Sequence, residues 1–132
     1  MKASEAVVGT EAPVKEHKLT RTDLVQYAGA SGDYNPMHHD EILAQKAGLP
    51  SVFGHGMFSM GFLGTALTEF VGLQHLRSYS VRFVKQTWPG EVLRTKVVVT
   101  GIDDGVVELE CSLANADGEV KVQGTATALV EP

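Results

Sequence analysis

Residues 55–71 read His55-Gly56-Met57-Phe58-Ser59-Met60-Gly61-Phe62-Leu63-Gly64-Thr65-Ala66-Leu67-Thr68-Glu69-Phe70-Val71, with no charge before Glu69. A run that is apolar nearly all round predicts a buried helix. Its 17 residues fall short of the roughly 20 that span a bilayer, and three internal glycines interrupt it, so a membrane span is rejected. Glycine within a helix costs about 1 kcal/mol relative to alanine. Here it is read as room for a sheet or a ligand to approach.

Downstream of this helix the pattern changes from helical to period two. Tyr79, Val81 and Phe83 alternate with Ser80 and Arg82. Leu93, Val97 and Val99 alternate with Arg94, Lys96 and Val98. Val107, Leu109, Cys111 and Leu113 alternate with Glu108, Glu110 and Ser112, and Val120, Val122, Ala126 and Ala128 with Lys121, Gln123 and Thr127. Pro89-Gly90, Asp103-Asp104-Gly105 and Asp117-Gly118 separate these runs, and all three are read as hairpin turns. Four long antiparallel strands after one buried helix give an α+β class, a curved sheet wrapped around the helix. With one helix to cover it, such a sheet leaves edges open, and pairing with a second copy would close them.

Upstream, Val14 to Leu19 reads as a short strand. Thr20 and Asp23 make a capping-box-like start for a helix that Gly29 and Gly32 end. Asp40 caps a second helix running to Lys46–Ala47 and closed by Gly48 and Pro50. Between these helices, residues 32–38 read Gly-Asp-Tyr-Asn-Pro-Met-His. Pro36 fixes its own φ and pushes Asn35 towards extended geometry, so a carboxylate (Asp33) and an imidazole (His38) are held around one small volume. The same residues also suit an ordinary turn in which Asp33 and Asn35 satisfy backbone groups.

The 132 residues are read as one domain, 1–132, with 43% hydrophobic and 20% charged residues. Net charge is −5 with no basic stripe, which argues against nucleic acid as a partner. The N-terminus has no uninterrupted apolar region of signal-peptide type, and the single cysteine, Cys111, offers no disulfide framework; a cytoplasmic location is expected. No G-x-G-x-x-G, P-loop or G-x-S-x-G occurs, which disfavours nucleotide chemistry and a serine hydrolase at Ser59. His38, His39, Asp40 and His55 could be imagined around a metal, but no HxxxH or cysteine pairing supports one, so neither metal nor cofactor is expected.

The stretch Tyr27-Ala-Gly-Ala-Ser-Gly-Asp-Tyr-Asn-Pro-Met-His-His-Asp40 resembles the signature of the MaoC-like, R-specific enoyl-thioester hydratases (hydratase 2 type). His55-Gly56-Met57 resembles the start of that family's central helix, and Trp88-Pro89-Gly90-Glu91-Val92-Leu93 its first long turn. The resemblance covers most of the chain. It is nearest to the single-module 3-hydroxyacyl-thioester dehydratase subunits of bacterial fatty-acid elongation. It implies a hot-dog fold, a dimer of this chain or a heterodimer with a related hot-dog subunit, and thioesters of CoA or acyl-carrier protein as substrates. It also implies catalysis by Asp33 and His38. Histidine suits proton transfer near neutrality, and Asp33 would hold the water or hydroxyl, serving as acid if burial favoured its neutral form.

Gly56, at a helix N-terminus, is read as the backbone donor to the thioester oxygen, against the alternative that Gly54 and Gly56 only permit the turn. Asn35 would orient the pair or simply close the turn. His55 would cap the helix or line the site. Tyr34 and Met37 are read as packing, His39 as pointing elsewhere, and Phe58, Phe62 and Phe70 as candidate liners of an acyl tunnel. Two other readings remain: a hot-dog thioesterase, which would need a carboxylate on the central helix, and a non-catalytic subunit shaping the acyl tunnel of a partner.

Overall fold

Thr20 accepts the Asp23 N–H at 3.1 Å and Asp23 returns a bond to the Thr20 N–H at 2.8 Å, so the capping box forms and α1 (Arg21–Ser31) starts where the sequence places it. The helix runs through Gly29 and stops at Gly32, whose φ of 75° is left-handed and ends the turn. Asp40 caps α2 (Glu41–Lys46) by accepting the Leu43 N–H at 3.0 Å. The long helix, α3, covers Gly56–Val71. The structure, a computed structural model, describes residues 1–131; Pro132, the last residue of the expected domain, lies outside them.

The strands are β1 (Glu16–Lys18), β2 (Leu76–Phe83), β3 (Val92–Asp103), β4 (Val106–Asn115) and β5 (Val120–Leu129), in one antiparallel sheet ordered β1-β3-β4-β5-β2. One face of β3, β4 and β5 buries Leu93, Val97, Val99, Val107, Leu109, Leu113, Val122 and Ala126, as the alternation predicts. This face packs on α3, giving the hot-dog arrangement of sheet around helix. Among the described residues, no helix is long and apolar enough to cross a membrane.

Several expectations of the fold change. Helix α3 is not buried all round: Ser59, Leu63, Ala66, Leu67 and Val71 form one buried stripe, while Met57, Gly61 and Glu69 lie on an open one. A side chain at Gly61 would meet nothing, so close approach does not explain that glycine. Pro89-Gly90 is not a hairpin, because β2 pairs with β5 and β3 with β1 and β4; the turn carries the chain across the sheet. Phe83, expected inside, sits 52% exposed at the end of edge strand β2. Asp104-Gly105 does close a two-residue hairpin, with both φ angles positive.

Candidate active site

After Gly32 the backbone is wound by its own side chains. Asp33 Oδ1 accepts the Asn35 N–H at 3.2 Å, and Asn35 Oδ1 accepts the Met37 N–H at 3.1 Å, capping a single 3₁₀ turn at Pro36–His38. The turn reading of Asp33 and Asn35 therefore describes real bonds. The Asn35 side chain accepts from the Met37 backbone rather than bonding the side chain of Asp33 or His38, so it acts on them through the turn. Met37 packs against the core, whereas Tyr34, read as packing, is 63% exposed. His39 bonds the Tyr34 carbonyl at 3.1 Å and faces away.

The 3₁₀ turn aims His38 inward, where it is 7% exposed. Its Nδ1–H donates to the Phe53 carbonyl at 2.6 Å, which fixes the tautomer of the neutral ring and leaves Nε2 as the lone-pair nitrogen. Nε2 lies 3.9 Å from Asp33 Oδ2. The Asp33 side chain is 51% exposed, so the burial invoked to make it an acid is absent. Phe53 carries no side-chain signal for this role, because its carbonyl does the work, and sequence reasoning missed it.

His55 lies at the N-cap of α3 without capping it through its side chain. Its ring stacks on His38 at 3.8 Å between centroids and meets Tyr27 edge-on at 4.8 Å. Its Nε2–H donates to the Asp33 carbonyl at 3.2 Å while its ring stacks on His38, so His55 ties the two ends of the 33–38 loop together. Burial holds its pKa below 6.5; the Asp33 carbonyl and carboxylate oppose that shift, while the neighbouring His38 adds to it. His55 Nδ1 and Thr87 Oγ1 are the buried side-chain polar atoms left without a partner among the described residues.

Gly56 opens α3, where the first-turn N–H groups have no partner within the helix. It borders a cleft of about 250 Å³ lined by Phe53, Gly54, Ser59, Phe83 and Thr87 among others, with Lys85 at its wall. Gly54 is required there, since a Cβ would collide with the Thr87 hydroxyl. Phe58 and Phe62 do not line this cleft; their rings pack against His17, and Phe58 also against Tyr27.

Asp33, His38 and His55 bring ligand-type atoms within 4.8 Å of one another, a set different from the one the sequence suggested. Two rings stacked at 25° and 3.8 Å cannot both aim an in-plane lone pair at one ion: an ion in the plane of one would lie off the plane of the other.

Residues 4–119 match the family model described as MaoC like domain. The chain belongs to the MaoC-like domain family. This MaoC-like chain is 30% identical over 118 residues to the (R)-specific enoyl-CoA hydratase of Rhodospirillum rubrum, covering 85% of itself and 80% of that protein. It is 35% identical over 103 residues, 75% of its own length, to 3-hydroxyacyl-thioester dehydratase Y of Mycobacterium tuberculosis, of which it spans 35%. In three dimensions the MaoC-like fold superposes on a chain of the ChsH1-ChsH2 complex from Mycobacterium tuberculosis with a TM-score of 0.85 and 22% identity, covering 95% of this chain and 98% of that one.

Proposed function

We propose that residues 1–132 act as one catalytic module for reversible addition of water to trans-2-enoyl thioesters of CoA or acyl-carrier protein, giving (3R)-hydroxyacyl thioesters. Asp33 and His38 are the acid–base pair. The observation that carries this reading is the His38 ring: with Nδ1–H held by Phe53, its Nε2 lone pair faces Asp33 Oδ2 across 3.9 Å. That gap is too long for a direct hydrogen bond and suits a water that donates to both.

As the water oxygen bonds to Cβ, one of its protons passes to the pair, and one proton passes from the pair to Cα. The pair so ends in its starting state, and dehydration is the reverse. Charge developing on the thioester oxygen is taken up by the Gly56 N–H at the positive end of α3. Asn35 and His55 hold the loop that carries the pair. The activities named for the Rhodospirillum and Mycobacterium relatives support this reading. A thioesterase is disfavoured because the single carboxylate on α3, Glu69, is exposed and paired with Lys15 at 2.7 Å. Crotonyl-CoA incubated with the protein should lose enoyl absorbance without releasing free thiol; thiol release with the enoyl group intact would overturn the assignment.

The proposed compartment is the cytoplasm, in keeping with one unpaired cysteine. The proposed partner is a second copy, or a related hot-dog subunit, laid against edge strand β2 and the exposed Met57, Phe83 and Val84 beside the cleft. The similar ChsH1-ChsH2 structure is itself a complex of two different chains. Light scattering should give about twice 14.1 kDa, and activity should fall on dilution. A fully active monomer would contradict the proposed assembly.

A further inference from the structure

Alternation in β5 breaks at Lys121. Leu113 pairs with Val122 and Ala114 with Val120, so Lys121 is the extra residue of a bulge, and a bulge re-aims the side chain it carries. Lys121, expected on the outer face, is instead fully buried, at 0% exposure. Its ammonium lies 3.0 Å from Glu91 Oε2 and 2.5 Å from Glu119 Oε1. Asn115 donates to the same Glu91 oxygen at 2.7 Å, and the Trp88 N–H donates to the other at 2.7 Å. A buried ion pair gives little net stability over an apolar filling of equal volume, so its use lies in what geometry it specifies.

Lys121 grips one segment at both ends. Its carbonyl accepts the Val84 and Lys85 N–H groups at 2.8 and 3.2 Å, while its side chain holds Glu91. The segment between forms a wall of the cleft and reaches the stretch before α3 at two points. The Thr87 carbonyl accepts the Gly54 N–H at 2.8 Å, and the Trp88 ring meets the Phe53 ring at 6.0 Å. Phe53 in turn fixes the His38 tautomer, and Gly54 lies two residues before the Gly56 donor.

We propose that Lys121, acting through Glu91, is a positioning residue for the hydration site: it sets residues 84–91 so that Phe53 holds the His38 Nδ1–H and the Gly56 N–H faces the cleft. It touches no reacting atom. The proposal rests on the hydratase reading, so its test includes a readout that needs no turnover.

Lys121→Met/Glu91→Leu removes both charges together, which spares the fold an unpaired buried ion. Its thermal midpoint should stay near wild type while kcat for crotonyl-CoA hydration falls about 10- to 100-fold, more than KM changes, as misplacement of reacting groups predicts. Imidazole ¹⁵N spectra should show His38 as the Nδ1–H tautomer in the wild type and as a tautomer mixture in the variant, with faster amide exchange at Gly54. Lys121→Arg, which keeps the charge, should restore most of kcat. If the double variant does not fold, Glu91→Gln, which keeps an acceptor for Trp88, serves with the same readouts and a smaller loss. A folded variant with wild-type kcat overturns the proposal, and so does lost activity with an unchanged His38 tautomer. A tautomer shift in a protein whose wild type hydrates nothing would leave the positioning role standing and remove the hydratase reading.

Discussion

Two polar clusters are linked through Phe53 and the 84–91 segment, and they are finished differently. Around Lys121 each buried charge meets its complement: two carboxylates face the ammonium, and Asn115 and the Trp88 N–H complete Glu91. Around His38 the set is left open. Asp33 Oδ2 stops 3.9 Å from His38 Nε2, His55 Nδ1 has no partner, and half of the Asp33 side chain faces solvent. Buried polar groups are as a rule matched, and a fully matched network fixes shape. Lone pairs left unmatched are free to meet a ligand. The contrast separates a matched polar set from an open one, and the proposed reacting pair lies in the open one.

The largest test of that contrast is in the open cluster. Asp33→Asn and His38→Ala should each lower hydration by about 10²–10⁴-fold with circular dichroism unchanged. The double variant should be little worse than the poorer single one, because a pair sharing one proton inventory acts as a unit. Near-native turnover in either folded variant breaks the contrast; losses that simply multiply would mean the two groups do separate jobs.

A smaller effect distinguishes the clusters by pH. His55 has its folded pKa below 6.5, so as pH falls through 6.5 the unfolded chain takes up its proton first, and stability drops. Glu91 follows the same sign in a lower window. Burial pushes its carboxyl up, but bonds from Asn115, Lys121 and the Trp88 N–H outweigh this and hold it below 4.5, so its contribution is lost only as pH falls beneath that value. Urea unfolding between pH 7 and pH 3 should therefore show two separate declines. His55→Phe should remove the upper one and leave the lower. A single decline untouched by that substitution would sink the assignment.

The smallest expected effect lies outside both clusters. Thr20→Ala removes one half of the capping box and should cost about 1 kcal/mol in stability, with hydration kept, because Thr20 sits at the end of α1 remote from Gly32. A large loss of activity would show that α1 positions Asp33 more tightly than its contacts indicate.

What the sequence made legible follows from locality. The capping box at Thr20, the Asp40 cap, the Asp104-Gly105 hairpin and the alternation along β3 and β4 each depend on residues a few positions apart, and each is found. The place of β2 beside β5 depends on pairing Phe83 with Val122, and no nearby residue encodes that. The bulge at Lys121 is likewise invisible, since Val120-Lys121-Val122 reads as regular alternation and only the pairing with β4 shows Lys121 to be the extra residue. In the candidate site, Asp33 and His38 could be singled out because their chemistry resides in side chains. Phe53 could not, because any residue offers a carbonyl.

The sheet order has a consequence for the order of folding. Strands β3, β4 and β5 form a meander of neighbours, which closes through short loops and so can form early. Strand β2 is made before them yet finds its sheet neighbour only in β5, where Leu76 pairs with Ala128. On a growing chain β2 therefore waits as an unpaired strand until β5 has emerged, a state prone to mispairing. The cleft wall continues directly from β2 and is held by Lys121 of β5, so the chain should gain its activity at the last step of folding, when that late pairing closes.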